Sequence, residues 1–346
     1  MRGVTGGRLQ VTDTSASGIR PTARSAWHLL NAKSVLPVLT LFYVVMLAAF
    51  SLANPIFISV GNIGSIILNL GIPGIVAIGL TFVVLSGHVD LSVGSIFAFS
   101  AYITGILIQE GSGVPIPVAL AIGVLTGAAV GALNGFVVTV LGVNSIITTL
   151  GTMAIFRGLA QILGSNTYLT RIENEALLFL GRGYLFDYIP VTFAYMVALL
   201  IVCSLVLGFT RYGRHVYATG ASEMVARLYG VATRKVQFST FVICGVFSAV
   251  GGILLMSQLA RASYTAGEDL TFKALTVVIL GGISLSGGRG AMIGVLVAIF
   301  IVGSIANGLA VVHVPINARD AFTGLVLIGA IVFDSIRNRN LEQAQV

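Results

Sequence analysis

The chain has 346 residues, of which 56% are hydrophobic and only 9% charged, and its mean hydropathy is +1.00. A soluble protein of this size needs far more polar surface, so the composition excludes a soluble globular domain and places the chain in lipid. A net charge of +7 would point to nucleic acid in a soluble protein. Here the basic residues lie mostly in loops flanking apolar blocks, where they orient a chain across a bilayer, and nucleic acid is not an expected partner.

Residues 1–33 carry Arg2, Arg8, Arg20, Arg24 and Lys33 against Asp13 alone and are predicted to be a flexible basic tail. A signal peptide is not expected, because the first apolar run begins after Lys33, lacks a small-residue cleavage site and is followed by further spans. A hydrocarbon layer of about 30 Å needs roughly 20 apolar residues per helix. Candidate spans fall at about 35–52, 71–86, 91–108, 116–142, 145–163, 189–208, 238–259, 272–285, 291–312 and 320–333. The pattern predicts an all-α polytopic membrane protein with about ten transmembrane helices over 34–334, a loop at 209–237 and a C-terminal tail at 335–346. Asn62–Leu70 is apolar but too short to cross, and reads as an interfacial or re-entrant piece.

With the N-terminus inside, thirteen Lys and Arg fall on the cytoplasmic side against six opposite, so both termini and the 209–237 loop are predicted to be cytoplasmic. Cys203 and Cys244 lie in apolar segments without CxxC spacing and read as packing residues.

Gly123, Gly127, Gly131 and Gly135 share one face of the fourth span, a spacing that admits another helix closely. Static packing is the main reading and a sliding gate the lesser one. Leu80-Thr-Phe-Val-Val-Leu-Ser-Gly87 resembles Leu275-Thr-Val-Val-Ile-Leu-Gly-Gly282, and Leu91-Ser-Val-Gly94 can be set against Leu285-Ser-Gly-Gly288. Two related halves are plausible on this partial repeat, and halves of transporters commonly meet at the solute path.

Between two spans, Ser86-Gly-His-Val-Asp-Leu-Ser-Val-Gly-Ser95 places His88, Asp90, Ser92 and Ser95 where apolar residues cost less. Asp90 either caps the following helix or, as an ionisable group at a membrane helix break, lines a path or holds a gate. Arg289, after the second copy of the repeat, has the same two readings: gate residue or surface anchor. The candidate path or gate residues are Asp90, Ser92, Gly94, Asn134, Thr149, Gly281, Gly282 and Arg289. His88 and His313 invite a proton-relay reading, but the carboxylates sit at span ends, which favours a mechanism without proton coupling.

In the loop after the sixth span, Thr210 to Gly230, the second half predicts a short helix. Ser222 or Ala221 starts it, Met224, Val225 and Leu228 form an apolar side, Glu223 and Arg227 pair at i,i+4, and Gly230 ends it. Such a helix suits either a groove on a partner protein or an anionic lipid surface.

At this loop the sequence resembles the permeases of ribose-type ABC sugar importers, a branch of the group that includes branched-chain amino acid permeases. The resemblance rests on Thr210-Arg-Tyr-Gly-Arg214, Ala218-Thr-Gly220 and Ala226-Arg-Leu-Tyr-Gly-Val231, with Asp90-Leu-Ser-Val-Gly94, Thr149-Leu-Gly-Thr-Met153, Arg157-Gly158 and Gly281 to Gly290 in the family's order. His88, Ser145 and Ser286 stand where the family usually has glycine, proline and an aromatic. The resemblance implies that Tyr212, Gly213, Arg214, Gly220, Glu223, Ala226, Arg227 and Gly230 form a loop that couples to an ATPase. It further implies a second permease copy or paralogue, a periplasmic solute-binding protein, the bacterial inner membrane as location, and a monosaccharide or similar small polar solute as cargo.

No GxxxxGK[ST] loop is present, so ATP and Mg are expected on the partner subunit and no cofactor on this chain. The rival readings are the same machinery carrying an amino acid, autoinducer or nucleoside, and a stand-alone ion-coupled carrier. No cluster of His, Asp or Glu stands at nucleophile or ligand spacing, so neither an enzyme nor a metal site is expected.

Overall fold

The computed structural model of the chain describes residues 36–109, 112–166, 172–315, 318–319, 321–322 and 324–332. The expected tails 1–33 and 335–346 lie outside them. Backbone polar groups have no water to bond in hydrocarbon, so an apolar chain in lipid forms helices that satisfy them internally. Seven described helices are long and apolar enough to cross: α1 (Leu36–Ala53), α2 (Val60–Leu85), α4 (Ile116–Thr139), α5 (Ser145–Asn166), α7 (Val191–Phe209), α10 (Thr233–Leu259) and α12 (Met292–Val311). The chain is a multi-pass α-helical membrane protein.

Two expected spans are shorter than their apolar runs. Helix α3 (Val93–Leu107) has 15 residues and α11 (Leu270–Leu280) has 11, which makes them ~22 and ~16 Å long against a hydrocarbon core of about 30 Å. Each lies beside a break in the chain. Of the tenth expected span, 320–333, the helix is described over 324–332.

Asn62–Leu70 is not a separate interfacial piece. It is the first part of α2, which continues unbroken through Pro73. Pro is tolerated within membrane helices when neighbouring segments pack closely, and here Gly71 and Gly74 receive the start of α7, with Thr192 and the side chain of Met196 against them. Asn62 at the far end exchanges amide hydrogen bonds with Asn307 of α12, at 2.9 and 3.0 Å.

Helix α2 is the centre of the protein, with 78% of its spanning window buried, whereas α1 has 11% and stands at the edge. Helices α7, α10, α11 and α12 pack around α2. The most extensive pairing joins α4 to α10. A Cβ on Gly127 would stand 2.5 Å from Ala249 Cβ, and one on Gly131 3.0 Å from the Phe241 carbonyl carbon. The four-residue glycine ladder of α4 is therefore the groove into which α10 fits, as the packing reading anticipates.

Between α5 and α7, α6 (Glu175–Arg182) and a hairpin of β1 (Tyr184–Leu185) with β2 (Ile189–Pro190) complete one end of the bundle. Asn174 caps α6 through Leu177 N–H at 3.0 Å. At the other end, the connection from α7 to α10 forms two helices, α8 (Arg211–Ala221) and α9 (Glu223–Leu228).

Candidate functional site

The two stretches that resemble each other in sequence end their helices in the same way. At the end of α2, Ser86 N–H donates to Phe82 O, Gly87 N–H to Val84 O and His88 N–H to Val83 O, at 3.1, 3.0 and 3.1 Å. At the end of α11, Gly281 N–H donates to Val277 O, Gly282 N–H to Ile279 O and Ile283 N–H to Val278 O, at 2.9, 2.9 and 3.2 Å. Gly87 and Gly282 occupy the left-handed region, with φ of 89° and 83°. Each is the glycine of a Schellman cap, the one position at which a side chain would be strained. The partial repeat is thus a repeated helix break.

Beyond the caps the two paths diverge. The first enters a turn built on Asp90, whose Oδ1 accepts Ser92 N–H at 2.8 Å and Ser92 Oγ–H at 2.6 Å. Asn134 of α4 donates its amide to Ser92 Oγ at 2.8 Å, and the Cys244 thiol of α10 lies against the same carboxylate. Asp90, Ser92 and Asn134 are fully buried, and Asp90 Oδ2 and Asn134 Oδ1 make no hydrogen bond of ordinary geometry. Asp90 organises the turn before α3 and is not its N-cap: it accepts from Ser92, the cap residue itself, and not from the first helical turn. Gly94 N–H is instead satisfied by Thr271 Oγ of α11 at 3.1 Å. Leu91 N–H donates to Thr149 Oγ of α5 at 3.1 Å. Four helices therefore converge on one buried polar turn, and satisfying its groups requires all of them.

The second path is a tight loop from Ser284 to Gly290, in which Gly287, Gly288 and Gly290 all have positive φ. Ser284 N–H donates to Arg289 O at 3.0 Å and Gly287 N–H to Ser284 O at 3.0 Å. Gly288 N–H reaches across to Leu85 O, at the end of α2, at 2.9 Å. Gly281 packs on the start of α12, where a Cβ would stand 2.7 Å from Val295 Cα. Arg289 is exposed in this loop.

The α8–α9 segment closes this end. Thr210 caps α8 through Gly213 N–H at 3.1 Å, and Gly213, Val216 and Thr219 form its buried face. Gly220 sits between Leu85 O and Gly288, Ala221 touches Gly288, and Tyr217 O–H donates to Gly290 O at 2.9 Å. Burial pushes the Tyr217 phenol up to about 12 and also raises that of Tyr212, which shares a 2.7 Å hydrogen bond with Ser239 of α10. Arg214 stays exposed.

In α9, Ser222 caps Val225 N–H at 3.3 Å, Glu223 pairs with Arg227, and Gly230 follows the helix with a φ of 80°. Arg227 Nε also donates to Thr233 Oγ at 2.8 Å, tying α9 to the start of α10. Ala226 is buried beneath, whereas Met224, Leu228 and Tyr229 are 74%, 81% and 85% exposed. The segment offers an apolar outer face on a braced inner one.

The sequence reading missed α8 and the roles of Thr271, Tyr217 and Gly288. Only α8 carried a local signal, the spacing of Gly213, Val216, Tyr217 and Gly220 on one side of an otherwise polar stretch. Among the described residues no three His, Cys, Asp or Glu side chains group closely enough to hold a metal ion.

These features define a multi-pass helical membrane protein in which two capped helix breaks meet beneath an external two-helix segment. Residues 62–331 match the family described as the permease component of branched-chain amino acid transport systems, and the chain belongs to that family. It is 36% identical over 300 residues to the ribose import permease protein of Bacillus subtilis, covering 86% of this chain and 91% of that one. It is 33% identical over 322 residues to the L-arabinose ABC transporter permease protein of Azospirillum brasilense, covering 92% and 91%. An autoinducer 2 import system permease protein of Photorhabdus luminescens is 34% identical over 260 residues, covering 75% and 77%. No solved structure matches.

Proposed function

We propose that this chain is the membrane-spanning permease subunit of an ATP-binding-cassette importer for a monosaccharide or a similar small polar solute. In this reading α8–α9 faces the cytoplasm and docks on the ATPase subunit, and both chain termini are cytoplasmic. The permease pairs with a second copy or a related chain, and a periplasmic binding protein delivers solute to the opposite face. ATP and Mg act on the ATPase, so the permease itself catalyses no reaction. The observation that carries the proposal is the packing of Gly220 and Ala221 of α8 against both helix breaks. Movement of an outer segment so placed reaches the broken helices directly, which alternating access requires. The exposed face of Met224, Leu228 and Tyr229 supports a protein partner at α9.

The relatives support the cargo class. Relatives named for ribose, arabinose and autoinducer 2 cover 86%, 92% and 87% of this chain at identities of 36%, 33% and 34%, so two of these three cargoes are monosaccharides and the ribose permease has the highest identity of the three. A sugar is therefore the first reading and an autoinducer the second. The test is reconstitution of the permease with its ATPase and binding protein in vesicles, followed by uptake of labelled ribose, arabinose and autoinducer 2. The proposal expects uptake that needs ATP and the binding protein. Uptake by the permease alone, abolished by an uncoupler while ATP is maintained, would mark a stand-alone carrier and overturn it.

A further inference from the structure

The coupling reading leaves open which contact holds the outer segment to the broken helices. Helix α8 meets the first break by close packing, with Gly220 against Leu85 O. Tyr217 O–H donates to Gly290 O of the second break, at 2.9 Å. That loop is in turn bonded to the first break by Gly288 N–H to Leu85 O, at 2.9 Å. Around these bonds no side chain intervenes: a Cβ on Gly287 would stand 2.7 Å from Gly87 Cα, and one on Gly288 would stand 2.5 Å from Ala221 Cα. Three backbones from α2, α8 and the α11–α12 loop therefore touch, and the arrangement moves as a unit or comes apart as one.

From this geometry we infer that Tyr217 is a positioning residue: its hydroxyl clamps the Ser284–Gly290 loop to α8, so that α8 and both helix breaks shift together. Gly290 precedes Ala291, the N-cap of α12, so the clamp also sets where α12 begins. A phenol is suited to the task because it donates one directed hydrogen bond from a rigid ring with few torsions to fix. Burial keeps that proton on the oxygen at any working pH, since the phenol is pushed up to about 12. The inference rests on the reading of α8–α9 as the segment that receives force from an ATPase.

Tyr217→Phe keeps the ring and removes the hydroxyl. In the reconstituted complex with ribose or arabinose as probe, the variant assembles with the ATPase but moves about fivefold less sugar per ATP hydrolysed, the factor expected from one lost hydrogen bond. Hydrogen–deuterium exchange of the 284–291 segment rises in the variant, because Gly288 N–H loses its hold on Leu85 O. Unchanged transport per ATP together with unchanged exchange overturns the inference. If the variant does not assemble, exchange is followed in the wild-type complex with and without a trapped nucleotide. A change in protection of 284–291 that tracks a change in α8 supports the clamp, and movement of one without the other overturns it. Should the wild-type complex import none of ribose, arabinose and autoinducer 2, the functional reading fails by itself, while exchange in the purified variant still decides whether Tyr217 holds the loop.

Discussion

Gly288 N–H donates to Leu85 O at 2.9 Å, so the loop that follows the second helix break satisfies a carbonyl at the end of the first. The last carbonyls of a helix have no partner within it and need one from elsewhere. In water, solvent supplies them. Within a membrane protein the supply has to come from the fold, and here it comes from the other copy of the repeat. The two breaks are for that reason not independent: each is finished by its own glycine cap, and the Gly288–Leu85 bond joins the pair with α8 lying over it.

The turn before α3 depends on a carboxylate that accepts two hydrogen bonds from Ser92. Asp90→Asn keeps Oδ1 as acceptor and replaces Oδ2, which has no hydrogen bond of ordinary geometry. Asp90→Ala leaves a buried N–H and a buried hydroxyl without their acceptor, at ~1–3 kcal/mol. Thermal melting in detergent is expected to place Asp90→Asn near the wild type and Asp90→Ala lower by several degrees. Equal losses in the two variants would mean that the charge, and not the accepting oxygen, holds the turn.

Two glycines of similar sequence context separate packing from exposure. Gly127 faces the α10 backbone, and a Cβ there would stand 2.5 Å from Ala249 Cβ, whereas Gly151 of α5 has nothing within 4 Å. Gly127→Val forces α4 and α10 apart, at ~1–3 kcal/mol or more. Gly151→Val stays within about 0.5 kcal/mol of the wild type. Size-exclusion chromatography and melting of the purified permease check this. A tolerated Gly127→Val would show that the glycine ladder is not the helix contact.

The long spans were legible in the sequence because apolar runs of spanning length have few other uses, and the glycine ladder because its four-residue spacing defines a single face. The repeated break was legible in outline, since Ser86-Gly87 and Gly281-Gly282 end matching apolar runs. What could not be read depends on contacts remote in sequence. Nothing near Gly94 announces that Thr271 satisfies its N–H, and nothing near Tyr217 announces Gly290. The continuity of α2 through Pro73 was hidden for a related reason: local rules favour a break, and the packing of α7 on Gly71 and Gly74 overrides them. Helix α8 escaped because 11 residues with polar ends resemble a loop until their buried face is known.

The ion pair of Glu223 with Arg227 lies on the surface, with the two side chains 40% and 49% exposed. Such a pair contributes ~0.3–0.5 kcal/mol to a helix, so Glu223→Ala is expected to leave the melting temperature of the permease almost unchanged. If α9 is the docking helix, the same change weakens co-purification of the ATPase and lowers sugar uptake about fivefold or more, as ~1 kcal/mol at an interface does. Arg227→Ala goes further, because the 2.8 Å hydrogen bond of Arg227 to Thr233 Oγ at the start of α10 is shorter than the 3.3 Å one that Thr233 Oγ–H donates to Glu223. Unchanged assembly and uptake in both variants would remove α9 from the ATPase interface.

The raised Tyr217 phenol has a consequence at alkaline pH. Its value of about 12 in the folded chain stands above the 10.0 of a free tyrosine, so between these limits the folded state holds a proton that the unfolded state has released. Stability from this group is complete below pH 10 and drains away as the pH rises through 12. Tyr217→Phe has no such proton to lose. Melting temperatures measured from pH 8 to 12 are therefore expected to fall more steeply above pH 10 in the wild type than in the variant, the remaining groups being common to both. Parallel curves would mean that the hydroxyl is not held in a buried, donating position, and would remove Tyr217 as the link between α8 and the second break.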